Sequence, residues 1–316
     1  MEITRNLSRD GTFCPSAVNI LGQIPAQALF FSQHQLRHPE SIYLFSLGKL
    51  GEAFERVAQG YLSKAKDYGS GYGGELDMCD LLQKQESLLR ALQEHLDDCY
   101  LILRTLVNPV TAKKTTHFAD RYVIENKLPG AKSFQSAVSH YKKNHLRIAN
   151  KLKHQQARLR GIAIWLPAGA HLGYFLEEPD PSGQIGPSPE IHPDQGCISF
   201  ARDLTWHLFN AYLCSEKLAT AVCGALSGLY GVTPQPRTSN GDKNWDSLAR
   251  LACTIPQAFF PKEVRKHAAT FHLSGDGQTL IIRFPDKVKL VFPPTVSATC
   301  STVVDGHSTN FKVPLP

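Results

Sequence analysis

Between Ser41 and Lys66 the apolar positions Leu50, Phe54, Val57 and Tyr61 recur at intervals of three and four, with Glu52, Glu55, Arg56 and Lys64 between them. That is the stripe of an amphipathic helix. Pro39 stands where a first helical turn accepts proline, and the glycine-rich stretch Gly69 to Gly74 ends the run. A second stripe, Leu81, Leu88, Leu92, Leu96, Cys99 and Leu103, predicts a helix over 75–107, stopped by Pro109. Two long helices joined by a short loop predict a helical hairpin. Gly69-Ser-Gly71-Tyr-Gly73-Gly74 fits GxGxxG, but no strand precedes it, so it reads as the inter-helix loop. Pro129-Gly130 then precedes a third long helix, expected from Ser133 to Arg160.

After Arg160 the period shortens. Gly161 to Trp165 and Gly173 to Leu176 read as strands around a turn at Pro167-Ala168-Gly169, with Gly196 to Phe200 a third. Residues 177–195 are rich in Pro, Asp, Ser and Gly and read as a loop. His192, Asp194 and Asp180 within it read as a solvated loop rather than a metal site, because their spacing is not diagnostic. Asp203 can cap a largely buried helix over 204–227. Residues 231–244, with Pro234, Pro236, Gly231 and Gly241, form the best linker. A helix at 245–258 follows, then strands at Thr279 to Phe284, Lys287 to Phe292 and Ser301 to Val304, with a turn at Pro285-Asp286. The expected fold class is mainly α. A helical domain, 1–230, contains core helices over 41–160, an inserted β-hairpin over 161–200 and a helix over 204–227. The linker 231–244 leads to a small α+β C-terminal unit, 245–316.

Composition changes this picture little. With 316 residues, 42% of them hydrophobic and 20% charged, the chain is neither disordered nor a small disulfide scaffold. Leu218 to Pro236, a long uncharged stretch, is broken by glycines and prolines, so no membrane span is expected there. The first ten residues mix charge signs and show no secretory signal. Eight cysteines without a CxxC pair suit reduced, buried thiols in a cytoplasmic protein.

Charge changes the picture more. The net charge is +6, yet no Asp or Glu occurs between Glu125 and Glu177. Lys127, Lys132, Lys142, Lys143, Arg147, Lys151, Lys153, Arg158 and Arg160 all fall in that window, with four histidines. Solvated helices usually mix signs for i,i+4 pairing. A basic helix in an otherwise slightly acidic chain suits a polyanion, most simply nucleic-acid phosphate. A solvated helix face is the competing reading.

At about 100° per residue, Arg147 and His154 lie within about 20° of one another on a helical wheel, and Asn150 lies on the same side. Lys143 and Arg158 extend the stripe. A guanidinium grips phosphate in a bidentate way and stabilises developing charge. An imidazole titrates near neutrality and can move the proton of a 2′-hydroxyl or of a leaving oxygen.

Asn150-Lys-Leu-Lys-His154, preceded by Arg147, resembles the motif of the HEPN superfamily, written RNxxxH or R(x4–6)H. A helical hairpin followed by the motif helix is also similar to that fold. The position before Asn150 is Ala149, where the family pattern has arginine, so Arg147 would have to serve from nearly a turn earlier. The resemblance implies an RNA-binding protein of toxin or antiviral-defence type, acting as a homodimer. It also implies a metal-independent endoribonuclease that uses no cofactor and cleaves by 2′-hydroxyl attack. His154 would be the acid/base, Arg147 the phosphate stabiliser and Asn150 the orienting amide. Lys142, Lys143, Lys151, Lys153, Arg158 and Arg160 would bind the nucleic acid. The alternative is a noncatalytic nucleic-acid-binding or protein-interaction module that uses the same basic helix.

Overall fold

The computed structural model describes the chain outside residues 9–10, 70–76, 145, 155–156, 167–168, 181–182, 193–195, 236–243, 261–262, 264–267, 285–295, 305–306 and 316. For 144, 165–166, 169 and the strands after 295 it describes the backbone only. Most of the glycine stretch 69–74, the turns at 167–168 and 285–286, the expected strand 287–292 and Asp194 therefore lie outside the described residues.

The protein is mainly α, with eight α-helices among the described residues. The two amphipathic stripes form α2 (Pro39–Gly69) and α3 (Cys79–Arg104), which pack on each other as the expected hairpin. Leu50, Phe54, Val57 and Tyr61 of α2 and Leu81, Leu88, Leu96, Cys99 and Leu103 of α3 are all buried. Before them lie β1 (Glu2–Asn6) and the short α1 (Val18–Leu21). After them comes α4 (Ala119–Glu125). The periodicity predicts neither β1 nor α4.

The third long helix is not one helix. It divides into α5 (Ala131–Asn144) and α6 (Arg147–His154), and the chain is already extended at Arg158. Burial supplies the reason. Tyr141 ends α5 buried, with its hydroxyl 2.8 Å from Nδ1 of His207. Leu146, Ile148 and Ala149 are buried where α6 packs on α3. The Leu146 amide reaches back to the Tyr141 carbonyl at 3.4 Å, five residues away, so the ladder loosens where the two anchors pull apart.

β2 (Arg158–Leu166) and β3 (Gly169–Pro179) form the expected antiparallel hairpin, and β4 (Ile185–Pro187) and β5 (Ile198–Ser199) both pair with β3. β3 is buried without interruption from His171 to Glu177, as a central strand covered on both faces should be. A Cβ on Gly173 would overlap the Ile198 carbonyl oxygen and the Phe260 ring, so only glycine lets β5 and that ring approach.

The buried helix is α7 (Phe200–Tyr230), closed by Gly231 at φ 64°. Asp203 does not cap it; the capping position is Ser199. Asp203 lies inside the first turn, buried, and its Oδ2 accepts hydrogen bonds from the Tyr174 hydroxyl at 2.7 Å and Gln85 Nε2 at 2.6 Å. Its Oδ1 faces His207 Nε2 at 3.2 Å. Burial and the Asp203 charge push the Tyr174 and Tyr141 hydroxyls well up, so both stay protonated. This network ties α3, α5, β3 and α7 together.

After the expected linker, α8 (Asn244–Thr254) brings Trp245 into the core. Its indole stands edge-on to Tyr212 at 5.4 Å and donates to the Leu47 carbonyl at 3.2 Å. β6 (Thr270–Leu273) and β7 (Thr279–Arg283) form a sheet in the order β1-β7-β6. α8, β6 and β7 thus share the buried core of the helices. β8 (Val296–Val304) and β9 (His307–Leu315) pair as an antiparallel hairpin. No helix among the described residues is long and apolar enough to cross a membrane.

Candidate nucleic-acid interface

α6 buries Ile148 and Ala149 and leaves Arg147, Asn150, Lys153 and His154 exposed on its outer side. The three motif residues therefore share one exposed side, as their spacing predicts. The longer stripe does not lie on one helix. Lys143 ends α5, and Arg158 and Arg160 belong to β2, so the cationic surface is assembled from three elements.

Acids from outside the window return to several of these cations. Lys151, expected to bind nucleic acid, is instead buried, with its side chain 10% exposed. Its ammonium donates to Glu178 Oε2 at 2.7 Å and Oε1 at 2.9 Å, and lies 2.9 Å from Glu190 Oε2. Ser188 Oγ donates to the same Glu178 at 2.5 Å. Burial alone would raise the Glu178 carboxyl, but the bonds from Lys151 and Ser188 outweigh it and hold it below the usual carboxylate range.

Arg147 pairs with Glu190. Arg160 Nε donates to Glu177 Oε1 at 3.0 Å, and Lys142 Nζ donates to Asp120 Oδ2 at 3.1 Å. The acid-free window of sequence is therefore not acid-free in space: Lys151 holds the hairpin to α6, Lys142 holds α4 to α5, and Arg160 pairs across the hairpin itself. Lys143, Lys153 and Arg158 are exposed, and among the described residues none has an acid within ion-pair distance. They are the cations best placed to meet an external anion.

Asn150 Oδ1 accepts from Gln93 Nε2 of α3 at 2.8 Å, which orients its amide and leaves the NH₂ as the group a phosphate can meet. The sequence reading did not anticipate Glu178, Glu190 or Gln93. A usable signal was present: the first carboxylates after the window, Glu177 and Glu178, stand where a hairpin folds back on the window's last cations.

His192 is not in a solvated loop. It is buried, its Nε2 accepts from the Leu176 amide at 2.9 Å, and its Nδ1 donates to the Gly196 carbonyl at 2.8 Å. Both ring nitrogens are thus engaged by backbone in one neutral tautomer. Asp180 closes the turn between β3 and β4, accepting from the Gln184 amide at 2.9 Å. Among the described residues one His/Cys/Asp/Glu group has metal-ligand proximity: His95, Cys99 and Cys214, in the core rather than on this surface. Comparison of the chain with protein-family models, curated proteins and solved structures returns no match.

Proposed function

We propose that the chain is an RNA-binding protein whose phosphate-contacting surface runs from the end of α5 across α6 to β2. The observation that carries this reading is the exposed set Lys143, Lys153 and Arg158 around Arg147, Asn150 and His154, the three cations having no acid within ion-pair distance among the described residues while neighbouring cations are paired. The HEPN-like reading is supported by the α2–α3 hairpin preceding a motif helix with its three motif residues outward. In that reading two copies face each other across α6, and His154 moves the 2′-hydroxyl proton while Arg147 stabilises the phosphate.

The noncatalytic alternative is favoured by a specific observation. Arg147 is engaged by Glu190, so a phosphate must displace a carboxylate before the guanidinium can act. Binding through Lys143, Lys153 and Arg158 needs no such exchange.

The test is fluorescence anisotropy of a labelled single-stranded RNA against salt concentration. Single-strand binding loses about 0.7 in the log–log salt slope per phosphate contact, so Lys143→Glu, Lys153→Glu and Arg158→Glu together should flatten the slope by roughly 2. An unchanged slope puts the binding surface elsewhere. In the same preparation, with divalent metal chelated, products ending in a 2′,3′-cyclic phosphate establish the ribonuclease reading. His154→Ala should then reduce cleavage by about 10²–10⁴-fold while leaving affinity intact.

A further inference from the structure

The buried face between α3 and α7 carries a cluster that the surface reading does not use. His95 and Cys99 are one helical turn apart on α3, and Cys214 faces them from α7. They are 3%, 0% and 5% exposed. The two sulfurs are 3.7 Å apart, His95 Nε2 is 4.0 Å from the Cys99 sulfur, and all three ligand atoms lie within 4.8 Å of one another.

From these positions we infer a metal site: His95 Nε2, Cys99 Sγ and Cys214 Sγ bind one thiophilic divalent cation, Zn²⁺, between α3 and α7. Zinc–sulfur bonds of about 2.3 Å and zinc–nitrogen bonds of about 2.0 Å give tetrahedral edges of roughly 3.8 Å between sulfurs and 3.5 Å between sulfur and nitrogen. The observed sulfur–sulfur edge already has that length, the Cys99 sulfur–nitrogen edge needs to close by about half an ångström, and the Cys214 sulfur–nitrogen edge, within 4.8 Å, by up to about 1.3 Å. Two cysteines and one histidine form a known zinc donor set that leaves one position for an exogenous donor.

The histidine is prepared for the role. Ser46 Oγ lies 3.0 Å from His95 Nδ1, which leaves Nε2 as the ring nitrogen that faces the sulfurs. A hydrogen-bond partner on the other ring nitrogen is the usual outer-shell arrangement of a metal-bound histidine.

Charge selects the ion. Loading breaks two S–H bonds, forms two Zn–S bonds and sends two protons to solvent. Two thiolates, a neutral imidazole and Zn²⁺ sum to zero, which a desolvated core tolerates. The i,i+4 pair on α3 can capture the ion first, and Cys214 then closes on it as α7 docks, so binding couples to folding.

The experiment uses the full reduced chain, stripped of metal, titrated with Co²⁺ and then Zn²⁺. The expected result is one Co²⁺ per chain with a thiolate-to-cobalt charge-transfer band, displaced by Zn²⁺ and absent in Cys99→Ser and Cys214→Ser. Zn²⁺ at a hundredfold excess over its dissociation constant should raise the thermal midpoint of the stripped wild type by roughly 4 °C, and those of the variants not at all. If a serine variant fails to fold, His95→Gln and the wild-type Co²⁺ stoichiometry serve instead. A folded, reduced wild type with no band and no thermal shift overturns the site. So does a band that survives in both serine variants, and Cu⁺ uptake without Co²⁺ or Zn²⁺ uptake overturns the divalent assignment.

Discussion

Lys151→Met separates a structural cation from a nucleic-acid contact. The substitution keeps most of the aliphatic stem and removes the ammonium that donates to both oxygens of Glu178 and lies 2.9 Å from Glu190. Lys151 and Glu178 are each only 10% exposed, so the change strands a buried carboxylate. Breaking a buried pair from one side costs about 3–5 kcal/mol. Glu178 keeps its bond from Ser188, and Glu190 is 36% exposed and can turn to water, so roughly 2–4 kcal/mol is the expected loss. Against a total stability of about 5–15 kcal/mol this is large, and it should appear calorimetrically as a fall of roughly 3–6 °C in thermal midpoint.

The pH dependence carries a sign. In the wild type the Glu178 carboxyl is held below its ordinary value of 4.5, so its stabilising contribution is present above that pH. It is lost as pH falls through the lower folded value. Without Lys151 the buried carboxyl is freed to protonate, so the gap between variant and wild type should narrow as pH drops below about 4.5. Lys143→Met, on the exposed surface, should leave the midpoint unchanged and weaken RNA binding. If Lys151→Met melts with the wild type and loses more RNA affinity than Lys143→Met, Lys151 is a phosphate ligand and the reasoning fails.

Asp203→Leu should cost roughly 3–5 kcal/mol in urea unfolding, because Tyr174 and Gln85 lose a shared acceptor in a buried site and His207 loses the carboxylate that faces it; Tyr174→Phe should cost about 1–2 kcal/mol. Gly173→Ala should destabilise by roughly 1–3 kcal/mol, since the added methyl meets the Ile198 backbone and the Phe260 ring. Hydrogen exchange should then show β5 losing protection before the helices; uniform loss would place the strain elsewhere. Glu190→Gln, which loosens the hold on Arg147, should raise RNA affinity at low salt; no change means that Arg147 takes no part in binding.

The long helices were readable because each writes its own stripe: Leu50, Phe54, Val57 and Tyr61 need no distant information. β7 was readable for the same local reason, as Leu280 and Ile282 alternate inward. The division into α5 and α6 was not, because the polar residues there are acceptable in a helix and the buried contact of Tyr141 is with His207, 66 residues beyond it. β1 buries a single residue, Ile3, and its pairing partner is near residue 282. At the interface, helical spacing correctly put Arg147, Asn150 and His154 outward. Composition over a window could not reveal that Glu178 and Glu190 fold back onto its cations. The His95–Cys99–Cys214 cluster escaped notice because Cys214 lies 115 residues from Cys99, so no short spacing motif is written.

The pairing of Ile3 with Ile282 sets a timetable for synthesis. A ribosome adding about 5–20 residues per second needs roughly 15–55 s to pass from one to the other. During that interval the α2–α3 hairpin and the β2–β3 hairpin have all their residues and can fold beside the exit tunnel. β1 has no such option, because β7, its one strand partner among the described residues, is not yet made. The first strand of the chain is thus among the last to be fastened. A ribosome that stalls before residue 279 leaves it as an open edge, with its amides and carbonyls available to whatever strand passes first.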